Sequence, residues 1–137
     1  MENGFSRIDT DFILEGERMS EMFSVGDFIE MIDDDVVSWS MWSEEQDLMN
    51  WDKQLDRRTA ARLVHMYLKV VKRVDDLDDI TAAYDLRDLF DCRSCANHVA
   101  QVYLRGIMPA HKVGEIEMFD VYKDVDKAEA EEILDKL

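Results

Sequence analysis

One proline and five glycines in a chain of 137 residues leave little material for tight turns. β-Sandwiches and barrels reverse direction every few residues, and each reversal favours Gly, Pro, Asn or Asp in a particular backbone conformation. Ala, Leu, Met, Glu, Lys and Arg are abundant instead, and these residues lose little side-chain freedom in a helix. The expectation is an all-α fold built from helix–loop–helix units. Apolar residues make up 47% of the chain, enough to bury a core, so wholesale disorder is excluded.

The clearest helix is predicted over Arg57–Arg73. Asp56 serves as N-cap, and Ala60, Ala61, Val64, Tyr67, Leu68 and Val71 recur at threes and fours. Upstream, Ser24-Val25-Gly26-Asp27 is read as the start of a helix that ends near Asp33-Asp34-Asp35. Val36–Trp42 is an apolar patch whose pattern fits strand, loop or helix. Ser43 and Gln46 have the spacing of a capping box for a short helix through Trp51. Downstream, a short helix is expected over Ile80–Leu86, and another begins near Asp91 or Arg93 and stops at Gly106 in a left-handed cap. A loop or short extended piece then carries Ile116, Met118 and Phe119. Asp126 and Glu129 open a last helix that buries Ala130, Ile133 and Leu134. Residues 1 to about 23 lack a clean period and read as an irregular arm with one short helix.

Taken in order, the second half resembles the S-layer homology family between Trp51 and Leu134. Leu86-Arg87-Asp88-Leu89 stands where that family's repeat opens, Val99 occupies an inward position of the first helix, and Gly106-Ile107 ends it. Phe119 begins the loop element, and Val125-Asp126-Lys127-Ala128-Glu129-Ala130 is similar to the second-helix motif. Leu55-Asp56-Arg57-Arg58 with Ala60-Ala61 resembles the same motif from a preceding repeat. The resemblance implies one full repeat and part of another, with residues 1–50 as an acidic extension packed on a 51–137 helical domain. It also implies that Arg57 and Lys127 would contact an anionic cell-wall glycan, if that ligand is kept. This chain departs from the pattern at Ser94, where the family favours an aromatic, and at Val121, where it favours proline. A partial repeat set leaves helix faces to cover, so a homodimer is a further expectation.

The formal charge of −16, from 32 acids and 16 bases, opposes binding to nucleic-acid phosphates and to anionic membrane surfaces. It favours a basic protein partner, or a role as an acidic inhibitor that imitates nucleic acid on a basic surface. No run approaches the about 18 apolar residues of a membrane span, and the first residues have no secretory pattern. A cytoplasmic location is expected, or the cell surface if an export signal has been cleaved.

Cys92-Arg93-Ser94-Cys95-Ala96-Asn97-His98 is the one short motif with reactive side chains. Cys92, Cys95 and His98 have ligand types suited to zinc, with His65 or His111 as a fourth ligand from elsewhere. The two cysteines near a helix start also suit disulfide cycling, but simple burial as small apolar residues is the favoured reading. Trp39, Trp42 and Trp51 form a cluster that would serve as a partner groove or pack the N-terminal segment. The chain is therefore expected to be a non-catalytic binding or scaffolding module without a required cofactor, not an enzyme.

Overall fold

A computed structural model describes residues 22–33 and 35–137. The arm expected over residues 1 to about 23 lies almost wholly outside the described residues. α1 (Val25–Ile32) opens on a capping box in which Ser24 Oγ accepts from the Asp27 N–H and Asp27 Oδ2 accepts from the Ser24 N–H, both at 3.0 Å. α2 (Val36–Trp42) shows that the apolar patch is a helix, capped by Asp35. α3 (Glu45–Met49) starts one residue later than Ser43 suggested. Ser43 closes α2 instead, and Asp47 Oδ2 accepts from the Glu44 N–H at 2.8 Å.

α4 (Arg57–Val70) is the longest helix, and its N-cap Asp56 accepts from the Thr59 N–H at 2.9 Å. It stops three residues short of Arg73, which adopts a left-handed φ of 59°. The chain then runs through single 3₁₀ turns at Thr81–Asp85, Leu89–Asp91 and Arg93–Cys95 into α5 (Ala96–Leu104). Gly106, at φ 76°, ends α5 as expected. The Gly106 N–H reaches Tyr103 O and the Ile107 N–H reaches Val102 O, both at 3.0 Å, the two bonds of a Schellman cap.

The all-α expectation fails after Pro109. β1 (His111–Val113) and β2 (Ile116–Met118) pair antiparallel with Val113 opposite Ile116, so the fold is mixed α/β. Gly114 supplies the positive φ, 67°, that a two-residue hairpin turn requires at its first position. Three-residue strands carry almost no periodicity, which is why the sequence showed only a short extended piece there. The expected helix–loop–helix repeat is not seen either, because 3₁₀ turns and irregular backbone fill residues 71–95. The chain closes with α6 (Lys127–Leu134), capped by Asp126.

α4 and α5 form the centre of a single buried cluster. Phe28, Ile29, Trp42, Leu89, Met108, Phe119 and Ile133 are buried in the same cluster. Gly26 sits against the Trp51 indole so closely that a Cβ there would lie 2.2 Å from ring atoms. Residues 121–125 run along the start of α4. The Arg57 and Arg58 N–H groups, orphans of a helix start, donate to Lys123 O and Val121 O at 2.9 and 2.8 Å.

Two buried charges hold this loop. Asp88 accepts from the N–H groups of Phe119, Asp120 and Val121 at 2.8, 2.7 and 3.0 Å. Arg57 donates to Phe119 O at 2.8 Å, to Pro109 O at 2.5 Å and to the Glu129 carboxylate, with its guanidinium 4.4 Å from the Phe119 ring centre. No described helix is long and apolar enough to cross a membrane.

Removing either charge should cost stability while leaving the helices intact. Asp88→Ala strands three N–H groups and is expected to lower the unfolding free energy by about 2 kcal/mol. Arg57→Ala leaves Glu129 and two carbonyls without their donor and is expected to lower it by about 3 kcal/mol. Urea unfolding followed by circular dichroism measures both. A loss below about 0.5 kcal/mol, the ordinary surface range, would contradict this reading of the loop.

Candidate functional site

The packing of α5 on α4 brings together side chains that lie far apart in the chain. Cys95 is the N-cap residue of α5 and His98 follows it by one turn, so the two share a helix side. Cys92 precedes Cys95 by a single 3₁₀ turn, and the two sulfurs form a disulfide with Cα atoms 5.2 Å apart. From α4, His65 meets His98 with their Nδ1 atoms 2.7 Å apart. The other nitrogen of His65, Nε2, lies 2.7 Å from Asp76 Oδ1 in the connection that leaves α4. Lys69 stands 3.6 Å from the second Asp76 oxygen, and Asn97 donates to it at 3.5 Å.

The result is a continuous Asp76–His65–His98 chain. His65 is 3% exposed, so both of its nitrogens need partners, and both have them. A carboxylate only accepts, which places a proton on His65 Nε2. With both rings neutral, His65 Nδ1 then accepts from the His98 Nδ1–H and the lone pair of the pair's outer end lies on His98 Nε2. Burial pushes the His98 imidazole down to about 4, with His65 and Arg62 adding to the shift against the opposing pull of Glu44 and Asp76. The hydrogen bond from His65 holds the Asp76 carboxyl below its ordinary range.

Cys92, Cys95 and His98 line a cleft of about 500 Å³ whose opposite wall comes from α3 and the start of α4. Arg62 crosses that wall and grips Asp47 with two bonds, at 3.0 and 2.5 Å, with Glu44 3.6 Å away. Asp47 is buried, and Arg62 remains a cation through these carboxylates despite its own burial. Arg58 and Asp56, paired at 3.0 Å, line the same cleft. The cleft therefore joins a disulfide, an imidazole and an internally neutralised set of charges.

The remaining sequence candidates fall elsewhere. Arg57 is 7% exposed and committed to the loop, while Lys127 is exposed at the first position of α6. Trp42 is buried edge-on to Tyr67, with ring centres 5.5 Å apart. Trp39 and Trp51, both partly buried, stack on each other at 5.0 Å. These aromatics are taken up by packing. His111 lies on β1, 3.2 Å from Asp120, at a second cleft beside Arg57. Among the described residues no three His, Cys, Asp or Glu side chains converge as a metal-binding group.

Asp76, Asp47 and Arg62 had no signal that separated them from their many charged neighbours in the sequence. His65 was visible as a side chain on the flank of the α4 stripe, but its partners were not. No family model, curated protein or solved structure matches this chain.

A neutral, half-buried His98 makes stability depend on pH in a defined window. Above pH about 6.5 neither the folded nor the unfolded chain protonates it. Between about 6.5 and about 4 the unfolded chain takes up a proton that the folded chain refuses, so stability falls as pH falls. His98→Gln should flatten that part of the profile. Urea midpoints for both proteins at pH about 7 and about 4.5 provide the check, and parallel losses in the two proteins would mean that His98 titrates normally.

Proposed function

We propose that the chain is a non-catalytic binding module that acts through protein–protein contacts on a basic partner in the cytoplasm. The observation that carries this reading is the outer face of α2 and α3. Val37, Met41, Leu48 and Met49 are 73%, 70%, 50% and 77% exposed, although the chain has a well-filled core to receive such residues. Val37 and Met41 are one turn apart on α2, while Trp39 and Trp42 take up its inner side. Met is flexible and polarisable, which suits a contact surface that must adapt to its partner.

Charge supports the same reading. Asp35, Glu44 and Glu45 are exposed at the ends of these helices. Arg57 and Arg62 are turned inward onto Glu129 and Asp47, so those two cations are spent inside the protein and do little to offset the acidic exterior. A cationic rim around an apolar patch on the partner would complement both features and speed encounter. The commitment of Arg57 to Phe119, Pro109 and Glu129 weighs against a wall-glycan ligand at that residue. The second reading, an acidic inhibitor that covers a basic surface by charge alone, rests on the net charge of −16.

The two readings part on a single variant. The full chain and Met41→Glu/Met49→Glu would be used as bait on cell extract at salt from about 0.05 to about 0.5 M, a range over which exposed charge attraction is strongly screened. A protein-binding face predicts partners held by the wild type and lost from the more acidic variant. Stronger capture by the variant, abolished by salt, would favour the charge-only inhibitor. Identical capture by both proteins would show that this face is not the contact.

A further inference from the structure

We infer that Cys92–Cys95 is a thiol–disulfide exchange site whose substrate is a low-molecular-weight thiol, with His98, held by the Asp76–His65–His98 chain, orienting the incoming thiol in the cleft. α3 forms one wall of this cleft, but its exposed apolar residues Leu48 and Met49 are not among the lining. Three observations meet here. The disulfide joins residues three apart in one turn and ties no distant elements together. Both sulfurs line an open cleft of small-molecule size and neither cysteine is fully buried. The imidazole on the same helix side belongs to a hydrogen-bonded chain that runs through buried His65 to a carboxylate, far more than packing requires.

The geometry also favours one leaving sulfur. Ser94 Oγ lies 3.6 Å from Cys92 Sγ and can donate to it. An incoming thiol can donate a hydrogen bond to His98 Nε2, loses its proton to solvent, and attacks Cys95 Sγ as the thiolate. The Cys92–Cys95 bond breaks as the mixed disulfide forms, and Cys92 leaves as a thiolate that takes a proton from solvent. A second thiol attacks the substrate sulfur of the mixed disulfide and releases Cys95, protonated by the same route. Two thiols lose two electrons and two protons to become one disulfide, and the two cysteines gain them.

The test uses the oxidised full chain with dithiothreitol as the probe, quenched in acid, alkylated and counted for free thiols by mass spectrometry. The folded chain is expected to be reduced about tenfold faster than the same chain unfolded in urea, since exchange-active disulfides are more labile than unconstrained ones. His98→Gln should remove most of that acceleration with its helical circular dichroism unchanged. Ser94→Ala, at an exposed position that cannot disturb the core, should slow reduction several-fold. A folded chain reduced no faster than the unfolded one would overturn the proposal and leave a local staple. Wild-type rates in both variants would overturn the assigned roles of His98 and Ser94.

Discussion

The backbone of Phe119 is held on both sides by a buried charge, and the architecture depends on that arrangement. Its N–H donates to Asp88 and its carbonyl accepts from Arg57, while its ring fills the core between them. Irregular backbone cannot be buried unless its polar groups find partners, and this loop has no long ladder to supply them. Two ionised side chains do so instead, each making three or more directed bonds. Charge-assisted bonds of this kind are stronger than neutral ones, but only while every member is present. The loop then lays residues 121–125 along the first turn of α4, and α6 follows from it with Glu129 aimed at Arg57.

With α4 anchored at its N-terminus, its packing on α5 determines what the protein can present chemically. His65 and His98 are separated by 33 positions in sequence and meet only because the two helices cross at that level. The connection that leaves α4 brings Asp76 back to the same point, and the turn before α5 places the cysteines over the cleft. The polar chain centred on buried His65 is satisfied at each link, so it rigidifies the helix pair while leaving an imidazole acceptor at its outer end. Val37, Met41, Leu48 and Met49 do not line this cleft, although other residues of α3 do. The proposed binding face and the proposed exchange site therefore rest on different side chains.

Local signals in the chain were legible where a short-range rule decides the outcome. Ser24 with Asp27, Asp56, Asp126 and Gly106 were all readable as helix ends, because a cap is a bond between residues three or four apart. The stripe on α4 was readable for the same reason. The β1–β2 hairpin was not, since strands of three residues offer no period and Gly114 alone does not distinguish a hairpin from a loop. Arg57 was singled out as the motif arginine of the resemblance, yet it acts inside the protein. A buried arginine and a ligand-binding one look alike until their neighbours are known. For Trp39, Trp42 and Trp51 packing was the favoured reading over a groove, and their burial and stacking follow it.

The sequence by itself determined that the chain is largely helical, where most helices begin and end, and that its surface is strongly acidic. These are consequences of propensity, capping and net charge, which act over a few residues or over the whole composition. Tertiary structure alone decided which charges are interior, which histidines meet and which apolar side chains remain outside. Each of those outcomes depends on contacts between segments tens of residues apart, and no local pattern encodes a distance that only the packed helices set.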